Sequence, residues 1–393
     1  MKVMHVASEY PPHQVYGLGR FVHHLSEAQA ALGCEVHVLT NSAGGAPAEA
    51  EEKGVHVHRI HTPGPPEPPD PTMTVTQFNA WLLQRGVEAV ESRGAPDVVN
   101  AHDWLTTLTG SALAKLYGIP LVVTVHDTVP GKHFGQLTPQ RSFQSSLEAW
   151  ACDNAMGVLC CSAHVREELV SYYSAKRDRV YVVPAAVRVE DFGADDHVTR
   201  VIRSVIAEPD QEVVLYVGRL DKEKGVDVLL QACSLLAGLH SRLKLVLVGD
   251  GSLKQELRQL TLQLGLDGRT LFTGYLCQRV LACLYRAADA VVCPSLYEPF
   301  GIVALEALAC GRPLIVSRSG GLAEIVTDGV DGLYCEPGSA EDLARHLYDV
   351  LSDKERAEDL GRHGAQTVRT EYTWPLAAKR TLAVYEEVRR RPQ

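Results

Sequence analysis

Glu298 and Glu306 stand eight residues apart in the run EPFGIVALE. An apolar, strand-like segment, AVVCPSLY, precedes the first glutamate, and helical sequence begins at Ile302 after Pro299, Phe300 and Gly301. A helix N-terminus offers free backbone N–H groups and the positive end of the dipole, a setting suited to a diphosphate. Glu306 falls about five residues further on, roughly 7 Å along the axis at 1.5 Å per residue. A carboxylate at that reach can bond a sugar hydroxyl next to bound phosphates. One loop and one helix would then hold the sugar, diphosphate and ribose of a nucleotide sugar. The plain alternative is a chance spacing, with Glu306 a solvated helix position.

The elements that must position these residues alternate along the chain. KVMHVA, EVHVLT, VHVHRI, DVVNAH, LVVTVH, GVLCCS and VYVVP read as strands, and FVHHLSEAQAALG and MTVTQFNAWLLQRGVEAVES between them read as helices. Several strands are apolar throughout, as expected when helices cover both faces of a parallel sheet. The pattern restarts near residue 211 with EVVLYVG, LKLVLVG, TLFTG, AVVCPS, PLIVS and GLYCEP. Two similar α/β halves are therefore expected, with a linker at 185–195. In open α/β sheets ligands bind outside the carboxyl ends of the strands, which predicts a site in a cleft between the halves. The expected division is 1–190, 191–372 and a closing helix from 373 to 393. That helix, opened by Thr373, Trp374 and Pro375, is expected to cross back onto the first domain. Pro63 to Pro71 reads as a stiff connector, and Arg389-Arg390-Arg391 as a frayed helix end.

A chain of 393 residues is too long for one core and fits two domains. Residues 1–190 hold 14 basic and 19 acidic side chains, so the net charge of −10 is shared evenly and no half is basic. That argues against nucleic acid and against an anionic membrane as partner. No apolar run approaches the length of a membrane span and no signal peptide opens the chain, so a cytoplasmic location is expected. The ten cysteines include no C-x-x-C pair and read as reduced core residues. His56 and His58 share one strand face, but without a third ligand nearby they read as a solvated face rather than a metal site.

With these residues assembled, the chain resembles the nucleotide-sugar glycosyltransferases of family 4, of the GT-B fold, especially the glycogen-synthase-like and sucrose-synthase-like branch. The resemblance runs in order through SEYPP with a Gly-rich loop, NAHDW, TVHD, GRLDKEKG, VGDG, the paired glutamates and ACGRPLIVSRSGGLAEIVTDGVDGLYCEPG. It implies two Rossmann-like, doubly wound parallel-sheet domains facing a central cleft. Arg219 and Lys224 match the pair that neutralises the donor diphosphate. Glu298 matches the glutamate touching the donor sugar, and Glu306 the one bonding the ribose. Gly301, Ile302 and Val303 would offer amides to phosphate or sugar, while Gly218, Gly249 and Tyr275 match loops bordering the phosphates and base. Gly17, Leu18 and Gly19 match a loop approaching the donor phosphate, although Tyr16 stands where relatives carry another glycine. Arg20 would assist there. His126 matches the active-site histidine beside the donor sugar, with Asp103 and Asp127 as candidates near sugar or acceptor.

The resemblance implies transfer with retention of configuration. No Asp-x-Asp follows a strand, and charge neutralisation by Arg219, Lys224 and helix amides makes a metal cofactor unnecessary. The expected donor is a UDP-sugar, UDP-glucose or UDP-N-acetylglucosamine first. The expected acceptor is a glucan or a small molecule such as a sugar or aminocyclitol. A GT-B-type UDP-sugar epimerase and a non-catalytic nucleotide-sugar sensor are the competing readings.

Overall fold

The computed structural model describes residues 1–12, 17–42, 45–61, 71–193 and 195–391, with the backbone alone for 71–73. Tyr16 and most of the proline-rich stretch lie outside the described residues. The chain divides into two compact units, Met1–Ala185 with Trp374–Gln393, and Ala186–Thr373. The first break thus falls after Ala185 instead of residue 190, and the second falls after Thr373.

The first unit is built on β1 (Lys2–Ala7), β2 (Glu35–Ser42), β3 (Glu49–Glu52), β4 (Val55–His61), β5 (Val98–His102), β6 (Leu121–Val125), β7 (Gly157–Cys160) and β8 (Val180–Val182). Their order in the sheet is β3-β4-β2-β1-β5-β6-β7-β8. Every residue of β5, β6 and β7 is buried, which is why these strands are rich in apolar residues, and their buried polar side chains Asn100, His102 and Thr124 are hydrogen-bonded. The neighbouring pairs are parallel except β3 with β4. Sequence reading misses β3 because EAEE is acidic and carries no apolar alternation. It is an edge strand held by pairing with β4 and by ion pairs of Glu49 with Arg85 at 2.9 Å and Glu52 with Arg59 at 2.8 Å, and edges favour charge.

The helix Trp374–Arg390 belongs to this unit, although the chain has passed through the second unit before reaching it. Its Val384, Tyr385 and Val388 pack with Val3, Val98, Val122 and Leu159. Gly157 allows that approach: a Cβ there would come 2.9 Å from Val388 Cγ2. The Asn100 amide donates to the Tyr385 hydroxyl at 2.7 Å. The expected frayed end is instead pinned. Arg389 pairs with Asp97 at 2.9 Å, and Arg391 donates to the Tyr181 hydroxyl at 2.7 Å and to Glu387 at 2.8 Å.

The second unit carries β9 (Glu212–Val217), β10 (Leu243–Val248), β11 (Thr270–Gly274), β12 (Ala290–Cys293), β13 (Leu314–Ser317) and β14 (Leu333–Cys335). They form one parallel sheet in the order β11-β10-β9-β12-β13-β14. Val214, Leu245, Val292 and Ile315 from its strands pack with Leu229, Leu343 and Leu347 from covering helices. The loops at the carboxyl ends are laced together. Gly218 N–H donates to Val248 O at 3.0 Å, Leu220 N–H to Asp250 O at 2.9 Å, and Gly249 N–H to Gly274 O at 3.0 Å. Gly249 has φ +134°, and a Cβ there would lie 1.9 Å from the Gly218 carbonyl oxygen. The VGDG run is therefore a packing requirement as well as a candidate ligand loop.

Eight of the ten cysteines are buried and all are free thiols. Among the described residues no helix is long and apolar enough to cross a membrane.

Candidate functional site

In the second unit the chain leaves β9 through Gly218 and Arg219 and tightens into a turn at Lys222–Lys224, closed by Gly225 with φ +61°. A Cβ on Gly225 would come 2.2 Å from the Pro294 carbonyl oxygen, so this turn lies directly against the loop after β12. Leu296 and Tyr297 N–H both donate to the Glu223 carbonyl, at 2.8 and 3.1 Å. That lacing brings Lys224 Nζ to Glu298 Oε2 at 2.8 Å, with Ser295 Oγ donating to the same oxygen at 3.2 Å. Residues 74 apart in sequence thereby meet at the ends of two adjacent strands.

Arg219 is engaged differently. Its Nη1 donates to Asp221 at 2.8 Å and its Nη2 to Glu223. Both candidate cations therefore already face carboxylates, and an incoming diphosphate must share or displace them. Glu306 departs from the solvated alternative: it is buried and accepts a hydrogen bond from the Tyr285 hydroxyl at 2.9 Å. Tyr275, by contrast, is 84% exposed. Of the four residues expected to act together, Lys224 and Glu298 are in direct contact.

The helix Ile302–Ala309 starts at Gly301, whose φ is +117° and which gives no side-chain cap. A Cβ on Gly301 would meet Leu322 Cδ2 at 2.6 Å, so the loop packs closely there. Gly321 N–H donates to the Glu298 carbonyl at 2.9 Å and fixes the glutamate's backbone. The first-turn amides of Ile302 and Val303 lack intrahelical acceptors, whereas Ala304 N–H already donates to Gly301 O at 3.0 Å. They lie beside Glu298 in the chain and suit an anion.

In the first unit, Gly17, Leu18 and Gly19 form the first turn of the helix Gly17–Ala31 and not a loop, with Arg20 one residue further. Asp103 opens the helix that follows β5, with φ +58°, and accepts from the His126 backbone N–H at 2.8 Å. Desolvation pushes its carboxyl up to about 6. Asp127 pairs with Lys132 at 3.0 Å. His126 stands just past β6 with its ring edge-to-face on Phe21, the centroids 4.7 Å apart. Its Nε2 lies 3.3 Å from Nδ1 of His102, a buried residue that sequence reading passed over in favour of Asp103.

The face of β4 expected to be solvated is largely covered. His58 is buried, and His37 of β2, also buried, hydrogen-bonds it at 3.0 Å and stacks on His56. Sequence reading missed His37 because the parallel register that sets it opposite His56 is a tertiary feature. Among the described residues, the metal-ligating atoms that come within 4.8 Å of one another in a group of three belong to His23, His24 and Glu27.

Two family models match, one described as Glycosyltransferase Family 4 over residues 15–191 and one as Glycosyl transferases group 1 over residues 199–367. The glycogen synthase of Mycobacterium tuberculosis is 32% identical over 99% of this chain and 95% of its own. The chain belongs to glycosyltransferase family 4. This glycosyltransferase is also 32% identical to a D-inositol 3-phosphate glycosyltransferase of Xylanimonas cellulosilytica, over 96% of this chain and 93% of that one. Among solved structures, the sucrose-phosphate synthase of Thermosynechococcus elongatus superposes with a TM-score of 0.83 at 24% identity, covering 98% of both chains. HepE of Anabaena, in complex with UDP and glucose, gives 0.77 at 20% identity, again covering 98% of each. The glycosyltransferase has the GT-B fold of two parallel-sheet α/β domains.

Proposed function

We propose that this family 4 enzyme moves a hexosyl group, glucose or N-acetylglucosamine, from a UDP-sugar to a hydroxyl of a carbohydrate or cyclitol, with retention of configuration and without a metal. The observation that carries this reading is the meeting of Lys224 and Glu298 at 2.8 Å beside the uncapped start of the helix Ile302–Ala309. A leaving nucleoside diphosphate gains negative charge as the glycosidic bond breaks. Lys224, Arg219 and the amides of Ile302 and Val303 are fixed positive groups that stabilise that charge more in the transition state than in the ground state. Glu298, bonded to Lys224, would turn its free acceptor capacity to sugar hydroxyls. Glu306, held by Tyr285, would take the ribose, and His126 in the first unit would face the sugar. Loops at Gly218, Gly249 and Tyr275 would border the phosphates and base, Gly17 to Arg20 the phosphate, and Asp103 and Asp127 the acceptor side.

UDP in the Anabaena complex supports uracil as the donor base, and the names of the glycogen synthase and inositol-phosphate relatives support a carbohydrate or cyclitol acceptor. No second reading is favoured by any contact in the site. A donor-by-acceptor screen read by mass spectrometry tests the proposal. UDP release that depends on an acceptor, with a product heavier by one hexosyl group, is the expected outcome. Release of UDP from the donor alone, with an isomerised free sugar, would favour the epimerase instead.

A further inference from the structure

Behind His126 the first unit holds a row of polar rings that the proposed mechanism does not use. Gln29 of the helix Gly17–Ala31, His5 of β1 and His102 of β5 have no solvent exposure at all. Gln29 Oε1 lies 2.7 Å from His5 Nε2, His5 Nδ1 lies 3.0 Å from His102 Nε2, and His102 Nδ1 lies 3.3 Å from His126 Nε2. The His102 and His126 rings are stacked 20° from parallel with centroids 5.6 Å apart. Every ring nitrogen of the two buried histidines is thus committed to a neighbour in the row.

A neutral imidazole has one N–H and one bare nitrogen, and burial keeps both inner rings neutral. It lowers His5 to about 4 and His102 well below its ordinary value. An amide oxygen can only accept, so His5 carries its proton on Nε2 and turns a bare Nδ1 to His102. His102 must then donate from Nε2 and accept at Nδ1. The ring at the end of the row must then carry a proton on Nε2, which for a neutral ring fixes the tautomer.

We propose that Gln29, His5 and His102 act as positioning residues that hold the neutral ring of His126 as its Nε2–H tautomer, with Nδ1 the bare nitrogen. Its use in catalysis rests on the reading of His126 as the residue facing the donor sugar. An unprotonated Nδ1 accepts a hydrogen bond from a sugar hydroxyl and cannot donate one. The array therefore selects for a hydroxyl donor at that position and against an acceptor such as a ketone. It is a tautomer lock and not a proton conduit, because the Gln29 amide at its far end neither takes up nor releases a proton at ordinary pH.

The test is 15N NMR on histidine-labelled protein, with the His126 signals assigned by their disappearance in His126→Asn. The expected spectrum of the neutral His126 ring in ligand-free wild type is a single tautomer protonated at Nε2. In Gln29→Met, which removes the terminal acceptor, His126 should show a mixture of tautomers while circular dichroism stays native. A neutral wild-type His126 ring protonated at Nδ1 would overturn the proposal, since it means the Gln29 amide is reversed and the row runs the other way. A single unchanged tautomer in folded Gln29→Met would overturn it too. Should Gln29→Met not fold, His5→Gln interrupts the row at its next member and is read by the same signals. None of these readouts involves donor or acceptor, so a failed transferase assay leaves them standing.

Discussion

Replacing Lys224 by Met removes the cation that touches Glu298 while keeping most of the side chain's volume. At 2.8 Å the pair attracts with about 6 kcal/mol at an effective dielectric of about 20. Desolvation offsets much of that, and losing one partner of a buried pair typically costs ~3–5 kcal/mol. The two side chains keep 15% and 18% of their exposure, so water partly re-solvates the orphaned carboxylate and we expect a stability loss of ~2–3 kcal/mol. On catalysis, loss of one fixed charge facing the leaving diphosphate should lower kcat by about 10²–10³-fold. Stability by denaturant unfolding and steady-state UDP release should be measured on Lys224→Met, Glu298→Gln and the double variant. The double variant should regain most of the lost stability, because no charge is left unpaired, yet stay as inactive as the worse single variant. If activity returned along with stability, or if Lys224→Met kept wild-type kcat, the pair would be a structural ion pair and the diphosphate assignment would be refuted.

Burial lifts the Glu148 carboxyl to about 8. A carboxyl whose folded pKa lies above its unfolded value stabilises fully below the unfolded value and loses that contribution as pH rises through the folded one. The first unit's stability should therefore fall between about pH 4.5 and 8 through this residue, by roughly 5 kcal/mol at most, and Glu148→Gln should flatten that slope in a denaturant titration; an identical pH profile in the variant refutes it. Gly249→Ala would force a Cβ to 1.9 Å from the Gly218 oxygen at φ +134°, so the second unit should lose ~3 kcal/mol or more in a denaturant titration. A loss below about 1 kcal/mol would mean the loops after β9 and β10 separate easily. Chelation with EDTA should leave acceptor-dependent UDP release unchanged; a loss restored by a divalent cation would contradict charge neutralisation by protein groups alone.

Strands were legible wherever burial on both faces gave short apolar-rich runs, as in GVLC of β7 and LVVTV of β6. The acidic β3 was not, because only its register with β4 makes it a strand. Glu298 and Glu306 could be picked out as candidates by spacing, and Arg219 and Lys224 by the resemblance of the GRLDKEKG run to family 4. Their present partners could not, since Asp221, Glu223 and Tyr285 are chosen by how loops fold back on one another. Gly17 to Gly19 were expected to form a loop because they match the family's phosphate-approaching loop, yet here they form a helix's first turn. His126 could be picked out in the TVHD run, but its row with His102 and His5 could not, since the three are 97 and 24 residues apart and join only where parallel strands stack. Arg391 read as a loose end because its partners, Tyr181 and the Met156 carbonyl, lie more than two hundred residues earlier.

A crystal of the enzyme soaked with UDP tests the central claim most directly. The account predicts the diphosphate within hydrogen-bonding distance of Lys224 Nζ and the amides of Ile302 and Val303, with Arg219 turned from Asp221 and Glu223 toward it. UDP bound elsewhere, with Lys224 still on Glu298 and the start of the helix Ile302–Ala309 untouched, would contradict it.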